Sequence, residues 1–200
     1  IDFPGHTELI ASLCNSENFM MMFLSDVMKG AIVTIHEPLA SVSEFITENN
    51  LAKAGRIIKK SLIYDLGIKE PSIAVLGLNP HAGESGRIGR EEEDVIKPFI
   101  KNAAVSFAGP FPPDGFFGAG EYRRYDAILA MYHDQLLIPF KMSAFDKGVN
   151  FTAGLPIIRT SPDHGTAFGI AWKNIASAGS MIEAVRWGTI ISNNRKEYAE

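Results

Sequence analysis

The chain has 200 residues, of which 46% are hydrophobic and 21% are charged, a composition that can bury a core and excludes disordered and fibrous classes. Its 23 acidic and 19 basic side chains give a net charge of −4, which argues against a nucleic-acid partner, since such proteins carry a basic excess. Cys14 is the single cysteine, so no internal disulfide forms and a reducing, cytoplasmic location is expected. No apolar run approaches the ~20 residues of a membrane-spanning helix, so we expect no membrane partner.

The N-terminal third of the chain predicts one helix, two strands and two further helices. A helix is expected over Glu8–Asn15. The short apolar segments Phe19–Leu24 and Ala31–Ile35 are predicted strands that are buried on both faces. Helices follow over Ser43–Asn49 and Leu51–Leu66. In the second of these, apolar residues recur every three or four positions, and the glycine after it is a typical helix stop.

In the remainder of the chain, predicted strands again alternate with predicted helices. Ile73–Leu78 and Ala127–Met131 are predicted strands. The acidic run Glu91–Asp94 opens a helix, because negative charge stabilises a helix N-terminus. A last helix begins with Ser180 as its N-cap and runs into the charged tail 195–200. Alternating strands and helices indicate an α/β fold around a largely parallel sheet.

Three loops rich in glycine and proline or in turn residues follow predicted strands or lie near the C-terminus. They cover Asn79–Arg90, Gly109–Gly120 and Lys147–Thr166. Open α/β sheets bind ligands beyond the carboxyl ends of their strands, so these loops are candidate ligand-binding segments. The glycine-rich stretch 83–90 lacks the Lys-Ser/Thr ending of a P-loop, and we interpret it as a lid or a turn.

All five histidines lie at junctions between predicted elements: His6, His36, His81, His133 and His164. His36, His81 and His133 come directly after predicted strands, so parallel neighbouring strands would bring their rings to one edge of the sheet. Three neutral imidazoles with an open fourth position form a catalytic zinc-type site. Histidines that only form hydrogen bonds within loops could stand at the same positions. The spacing also lacks a local metal-ligand signature, such as two ligands one helical turn apart. The residues alone leave both interpretations open.

Lys141, Asn150 and Arg159 lie in or near the third loop. Arginine binds phosphate or carboxylate groups through two parallel hydrogen bonds, which makes Arg159 a candidate anion-binding residue. The alternative is that these cations are solvated surface charges, as most of the chain's lysines and arginines are expected to be.

Five motifs, spread in order over nearly the whole chain, resemble one known family. They are Phe3–Glu8, Gly77–Glu84, Gly109–Asp114, Met131–Gln135, and Gly154–Ser161 together with Asp163–Ala167. These motifs resemble the 4-hydroxythreonine-4-phosphate dehydrogenase family.

The resemblance implies an isocitrate/isopropylmalate-dehydrogenase-like α/β/α sandwich with two lobes, a cleft between them and a homodimer whose interface contains the site. Residues 1–135 are then expected to form a central dimerisation and metal/substrate lobe, and residues 136–200 the C-terminal part of an incomplete cofactor lobe. The family carries an N-terminal segment before the Gly-His-Thr motif that this sequence lacks. We therefore expect an N-terminal part to be missing, which leaves the activity of the chain alone open.

The resemblance also implies roles for individual residues. The expected metal ligands are three histidines, one of them supplied across the dimer interface. Asp114 and Asp134 are candidates to support them, and a helix-capping or turn role is the alternative for each. Lys141 is the candidate for proton transfer or carboxylate pairing. The expected ligand sets are His36, His81 and His133 for the metal, His6, Thr7, Lys141, Asn150 and Arg159 for the substrate, and Asp163, His164 and Thr166 for the nucleotide cofactor.

The activity implied by the resemblance is oxidation of the C3 hydroxyl of 4-phosphooxy-L-threonine by NAD or NADP, followed by decarboxylation to 3-amino-2-oxopropyl phosphate, in vitamin B6 biosynthesis. One divalent metal is expected, with zinc, cobalt, nickel, iron, manganese and magnesium as candidates. Three alternatives stay open. The protein would be a D-threonate or D-erythronate 4-phosphate dehydrogenase, a metal-dependent lyase or hydrolase without a nicotinamide, or a non-catalytic binding module.

Overall fold

A computed structural model describes residue 3 and residues 5–103, 106–164 and 168–198. Within these residues, seven strands form one sheet. The strands are β1 Met20–Leu24, β2 Lys29–Ile32, β3 Ile73–Leu76, β4 Phe107–Phe111, β5 Ala127–Ala130, β6 Val149–Ala153 and β7 Thr160–Pro162. Their order across the sheet is β4-β3-β5-β2-β1-β6-β7.

Half of the sheet is parallel and half is antiparallel. Strands β4, β3, β5 and β2 are parallel neighbours, whereas the β2–β1, β1–β6 and β6–β7 pairs are antiparallel. The expectation of a largely parallel sheet is therefore wrong for the second half. Strands β1 and β2 are joined only by Ser25–Met28, and a parallel crossover needs about a dozen residues or more, so this connection can only form a hairpin.

The four predicted strands are confirmed, although β2 and β3 end earlier than expected. Strands β4, β6 and β7 lie wholly or partly in segments that we interpreted as loops. In β4, Gly109 and Pro110 obscure the strand pattern, because both residue types are depleted in strands. Gly109 is required there, since a Cβ on it would lie 2.3 Å from the carbonyl oxygen of Val75.

Seven α-helices pack on the sheet within the described residues. The helices are α1 His6–Leu13, α2 Val42–Phe45, α3 Glu48–Tyr64, α4 Lys97–Asn102, α5 Pro113–Gly118, α6 His133–Ala144 and α7 Gly179–Glu197. Helix α3 begins earlier than predicted because the Thr47 hydroxyl caps it, accepting a hydrogen bond from the backbone N–H of Asn50 at 3.3 Å. Gly67, with a φ of 72°, follows its last turn as predicted.

Ser180 does not cap α7, contrary to our expectation. The helix begins at Gly179, and Ala178 occupies the N-cap position. The buried Ser180 hydroxyl instead donates to the carbonyl oxygen of Gly148 at 2.7 Å and accepts from the backbone N–H of Asp163 at 3.2 Å. The Ser180 side chain therefore links α7 to the segments around β6 and β7 by hydrogen bonds.

Apolar side chains fill both sides of the sheet, which confirms the predicted α/β/α sandwich. Along β1, Met22 faces one core and Phe23 the other. The first core packs against α3 and α7 through residues such as Ile58 and Trp187, and the second packs against α6 through Phe140. Strand β1 is buried along its whole length, so the centre of the sheet is a rigid base for the loops at its edge.

Strands β6 and β7 belong to the predicted C-terminal part, yet β6 pairs with β1 along five residues. One continuous sheet thus passes through both predicted parts, and the division at residue 135 stays a prediction. Among the described residues, no helix has the length and apolar character needed to cross a membrane.

Candidate active site

The carboxyl ends of three neighbouring parallel strands carry the three histidines expected to bind a metal. His36 follows β2, His133 follows β5 and His81 follows β3, and β5 lies between the other two strands. All three side chains are exposed. Among the described residues of one chain, no three His, Cys, Asp or Glu side chains lie close enough together to hold a metal ion. A three-histidine site that includes a partner subunit stays a prediction.

Two buried polar side chains fasten these strand ends to one another. The Gln135 amide accepts from the backbone N–H of Met131 and donates to the carbonyl oxygen of Gly77, each at 2.7 Å. The Thr34 hydroxyl donates to the carbonyl oxygen of Met131 at 2.8 Å. The ends of β2, β5 and β3 are thereby fixed relative to each other. We did not predict either residue, although Gln135 stands in the Tyr-His-Asp-Gln motif.

A carboxylate from α1 meets the ring of His36. Glu8 Oε1 lies 3.0 Å from His36 Nδ1, and the side chains are 21% and 49% exposed, respectively. A carboxylate accepts a hydrogen, so it favours the tautomer with the hydrogen on Nδ1 and the lone pair on Nε2. Glu8 was absent from our expected site residues, although it ends the Gly-His-Thr-Glu motif.

A second carboxylate meets His133, the first residue of α6. Asp134 Oδ1 lies 2.7 Å from His133 Nδ1, so this ring too is favoured with Nε2 open. Asp114, the other candidate for this role, lies exposed in the first turn of α5. Among the hydrogen bonds and ion pairs of the described residues, Asp114 has none with a histidine. The structure thus brings Asp134 to a histidine and does not bring Asp114 to one.

His81 lies in a left-handed turn, Pro80–Gly86, in which residues 81–85 have φ values between 43° and 77°. Each non-glycine residue in this region costs about 1–2 kcal/mol. The carboxylate of Glu92, which is 0% exposed, braces the turn. Its Oε1 accepts from the backbone N–H of Asn79 at 2.7 Å, and its Oε2 accepts from Asn79 Nδ2 at 2.9 Å. A Cβ on Gly83 would lie 2.5 Å from Glu92 Oε2, so the carboxylate fits only because residue 83 is glycine.

Arg159 and Thr7, both expected substrate-binding residues, are in contact. Arg159 Nη1 donates to the Thr7 hydroxyl at 3.2 Å and to the Thr152 hydroxyl at 2.9 Å. Burial lowers the pKa of the Arg159 guanidinium, and the nearby Glu8 carboxylate opposes that shift. The Nε–H and Nη2–H groups have no acceptor among the described residues, and this edge of a guanidinium can bind an anion with two hydrogen bonds.

Lys141 and Asp163 are also in contact. Lys141 Nζ lies 3.3 Å from Asp163 Oδ2 and donates to the Asp163 carbonyl oxygen at 3.2 Å. On β6, Asn150 Oδ1 is buried without a hydrogen-bond partner among the described residues. His6 and His164 are exposed. Thr166, expected near the cofactor, lies outside the described residues.

Two cavities lie near these elements. One of about 420 Å³ is lined by Glu8, Thr34 and His36, together with residues of α3 such as Lys53. A larger one of about 740 Å³ lies between α3 and α7, and none of the expected site residues lines it. The cavity that adjoins the histidine edge is therefore the one relevant to the expected chemistry.

Comparison with known proteins supports the resemblance. A family model described as pyridoxal phosphate biosynthetic protein PdxA matches residues 1–188. A 4-hydroxythreonine-4-phosphate dehydrogenase from a Ruegeria species is 46% identical over 197 residues, covering 97% of this chain and 60% of the relative. The enzyme of the same name from Trichlorobacter lovleyi is 50% identical over 189 residues, covering 92% and 56%. The chain thus spans about three-fifths of the length of these relatives.

Solved structures agree with this assignment of the fold. The crystal structure of a 4-hydroxythreonine-4-phosphate dehydrogenase from Klebsiella pneumoniae matches with a TM-score of 0.82 and 38% identity, covering 96% of this chain and 59% of that one. A terephthalate 1,2-cis-dihydrodioldehydrogenase from Burkholderia xenovorans matches with a TM-score of 0.73 and 27% identity, covering 93% and 60%. The expected isocitrate-dehydrogenase-like architecture is confirmed.

Proposed function

Since the chain belongs to the pyridoxal phosphate biosynthetic protein PdxA family, we propose that the protein oxidises the C3 hydroxyl of 4-phosphooxy-L-threonine with NAD or NADP. The resulting β-keto acid loses CO₂ to give 3-amino-2-oxopropyl phosphate, in the synthesis of pyridoxal phosphate. The proposal rests on one observation about Arg159. Its Nη1 is held by the hydroxyl groups of Thr7 and Thr152, while its Nε–H and Nη2–H donors stay available for an anion.

Arg159 is assigned to the phosphate or carboxylate of the substrate, with Thr7 and His6 beside it. Burial already disfavours the charged guanidinium, so an arriving anion compensates a charge that the protein has partly removed from water. Because Nη1 is fixed by two hydroxyl groups, the plane of the guanidinium is set before the substrate binds. This arrangement lowers the entropic cost of placing the reacting carbon.

His36, His81 and His133 are assigned to a divalent metal, with one of them supplied by the partner subunit of a homodimer. The donor set fits, since carboxylates at Nδ1 of His36 and His133 leave Nε2 available. Imidazole suits zinc, cobalt, nickel or iron, and substrate oxygens in a mixed shell would also suit manganese or magnesium. When bound, the cation would supply Lewis-acid stabilisation of negative charge on the substrate.

Lys141 is assigned two roles. It pairs with the carboxylate that leaves as CO₂, and it donates the proton taken up by the enolate that decarboxylation leaves. Its Nζ is tethered by Asp163, which fixes where that proton is held. Asn150, with its buried and unpartnered Oδ1, is assigned to a substrate donor. Asp163, His164 and Thr166 are assigned to the nucleotide side, where NAD or NADP would accept the hydride. We further place the homodimer in the cytoplasm, without nucleic-acid or membrane partners.

The test is turnover by the complete gene product. With NAD or NADP and a divalent metal, 4-phosphooxy-L-threonine should produce the absorbance of reduced nicotinamide and release CO₂. D-threonate and D-erythronate 4-phosphates should react with a lower kcat/KM. A higher kcat/KM for either sugar acid would identify the related dehydrogenase instead. Consumption of substrate without nicotinamide reduction would identify a lyase or hydrolase, and binding without turnover a binding module.

A further inference from the structure

We propose that Glu8 is a positioning residue that holds the ring of His36 with its hydrogen on Nδ1 and its Nε2 lone pair directed at the metal. This inference rests on the metal site of the proposed function. It assigns a role to a residue that is not itself expected to touch the substrate, the cofactor or the metal.

The first argument is geometric. Glu8 lies on α1 and His36 lies 28 residues later, beyond β2, yet Oε1 and Nδ1 approach to 3.0 Å. Glu8 is the less exposed of the two, at 21% against 49%, so the carboxylate is more sheltered from solvent than the ring. A neutral imidazole that donates from Nδ1 has its lone pair on Nε2. The contact therefore selects which ring nitrogen of His36 keeps its lone pair available.

The second argument is that the fold makes room for this carboxylate. A Cβ on Gly5 would lie 3.0 Å from Glu8 Oε2, so a side chain at position 5 would crowd the carboxylate. Oε2 is itself buried without a hydrogen-bond partner among the described residues. Placing a carboxylate there has a desolvation cost, and His36 is the only described residue that hydrogen-bonds to it. Among the described residues, the nearby Arg159 supplies opposite charge to this carboxylate, and the hydrogen bond is made with His36.

The third argument is repetition. His133 meets a carboxylate through the same ring nitrogen, with Asp134 at 2.7 Å. Two of the three expected metal ligands thus carry the carboxylate partner that orients metal-binding histidines and raises their basicity. In addition, the Thr7 hydroxyl accepts from Arg159, so the first turn of α1 joins the anion-binding residue to the residue that orients His36.

The experiment is a calorimetric titration, in which Zn²⁺ alone is added to the metal-free complete gene product. Glu8→Ala should weaken zinc binding about 10- to 100-fold, the usual effect of losing such a partner. Glu8→Gln should recover most of this loss, because its amide oxygen can accept the same hydrogen. Glu37→Ala is the matched control, since Glu37 is exposed beside His36 and lines the same cavity without a described hydrogen bond to the ring.

A second readout separates positioning from damage to the fold. The ¹⁵N NMR shifts of His36 in the metal-free protein should report the Nδ1–H tautomer in the wild type and in Glu8→Gln, and a tautomer mixture in Glu8→Ala. Unchanged zinc affinity in Glu8→Ala would overturn the inference, as would an equal loss in Glu37→Ala. If the wild type binds no divalent metal, the metal site of the proposed function fails, and an unchanged tautomer in Glu8→Ala would then reject the role of Glu8 separately.

Discussion

Glu92 and Arg159 are both polar side chains that the fold removes from water, but they are used differently. Both carboxylate oxygens of Glu92 accept hydrogen bonds from Asn79, and the side chain is fully buried. Arg159 is half-buried, and the described hydrogen bonds of its side chain are made only through Nη1. A buried group whose acceptors are all satisfied within the chain braces a structure. A partly buried group that keeps unused hydrogen-bond donors, as the guanidinium of Arg159 does, can bind a ligand.

The two groups also differ in what surrounds them. Glu92 supports the left-handed turn of His81, a conformation that is costly by itself. Arg159 lies near the Glu8 carboxylate, which opposes the lowering of its pKa by burial. Strain is thus stored on the His81 side, whereas the Arg159 side holds a partly desolvated charge with spare hydrogen-bond donors. If this contrast is correct, substitutions at the first region should change stability and substitutions at the second should change catalysis.

The largest expected effect is that of Arg159→Ala on catalysis. Removing a desolvated, hydrogen-bonded charge from an anion costs about 4 kcal/mol, or about 1,000-fold in kcat/KM. Steady-state kinetics of the complete gene product with 4-phosphooxy-L-threonine measures this loss. Arg159→Lys should recover only part of it, because an ammonium keeps the charge without the planar pair of donors. Wild-type kinetics in Arg159→Ala would show that the anion binds elsewhere.

A smaller effect, on stability, is expected in the turn of His81. Gly83→Ala places a methyl group 2.5 Å from Glu92 Oε2, so it both strains the backbone and displaces the brace, and we expect a loss of about 3 kcal/mol. Gly86→Ala has a similar positive φ, but its Cβ would approach no atom closer than 3.8 Å, so about 1 kcal/mol should be lost. Urea unfolding measures both, and equal losses would show that Glu92 does not brace the turn.

The sequence could predict the placement of His36, His81 and His133, because each follows a short apolar segment and parallel neighbouring strands end at one edge of a sheet. It could not predict the left-handed turn at His81, since four of the five residues concerned are not glycine. It also could not reveal that Glu8 meets His36, because that contact depends on where α1 packs. The motif residues Glu8 and Gln135 were visible in the sequence, but their roles appear only once the strands are placed.

The smallest expected effect concerns Glu91, the half-exposed neighbour of the buried Glu92. Hydrogen bonds from its own backbone N–H, from Asn79 Nδ2 and from the backbone N–H of Arg90 lower the pKa of Glu91 below its ordinary value of 4.5. A carboxyl group whose pKa is lowered by folding stabilises the native state above the pKa of the unfolded chain, and loses this contribution as the pH falls through the lower native value.

Glu91→Gln should therefore reduce the free energy of unfolding by about 0.5–1 kcal/mol at neutral pH, and the difference from the wild type should shrink as the pH falls below about 4.5. Urea unfolding across that range measures it, with the exposed Glu44→Gln on α2 as the control for losing one negative charge. A difference that grows towards acidic pH would contradict the prediction, because it would mean that Glu91 is stabilised in its protonated form.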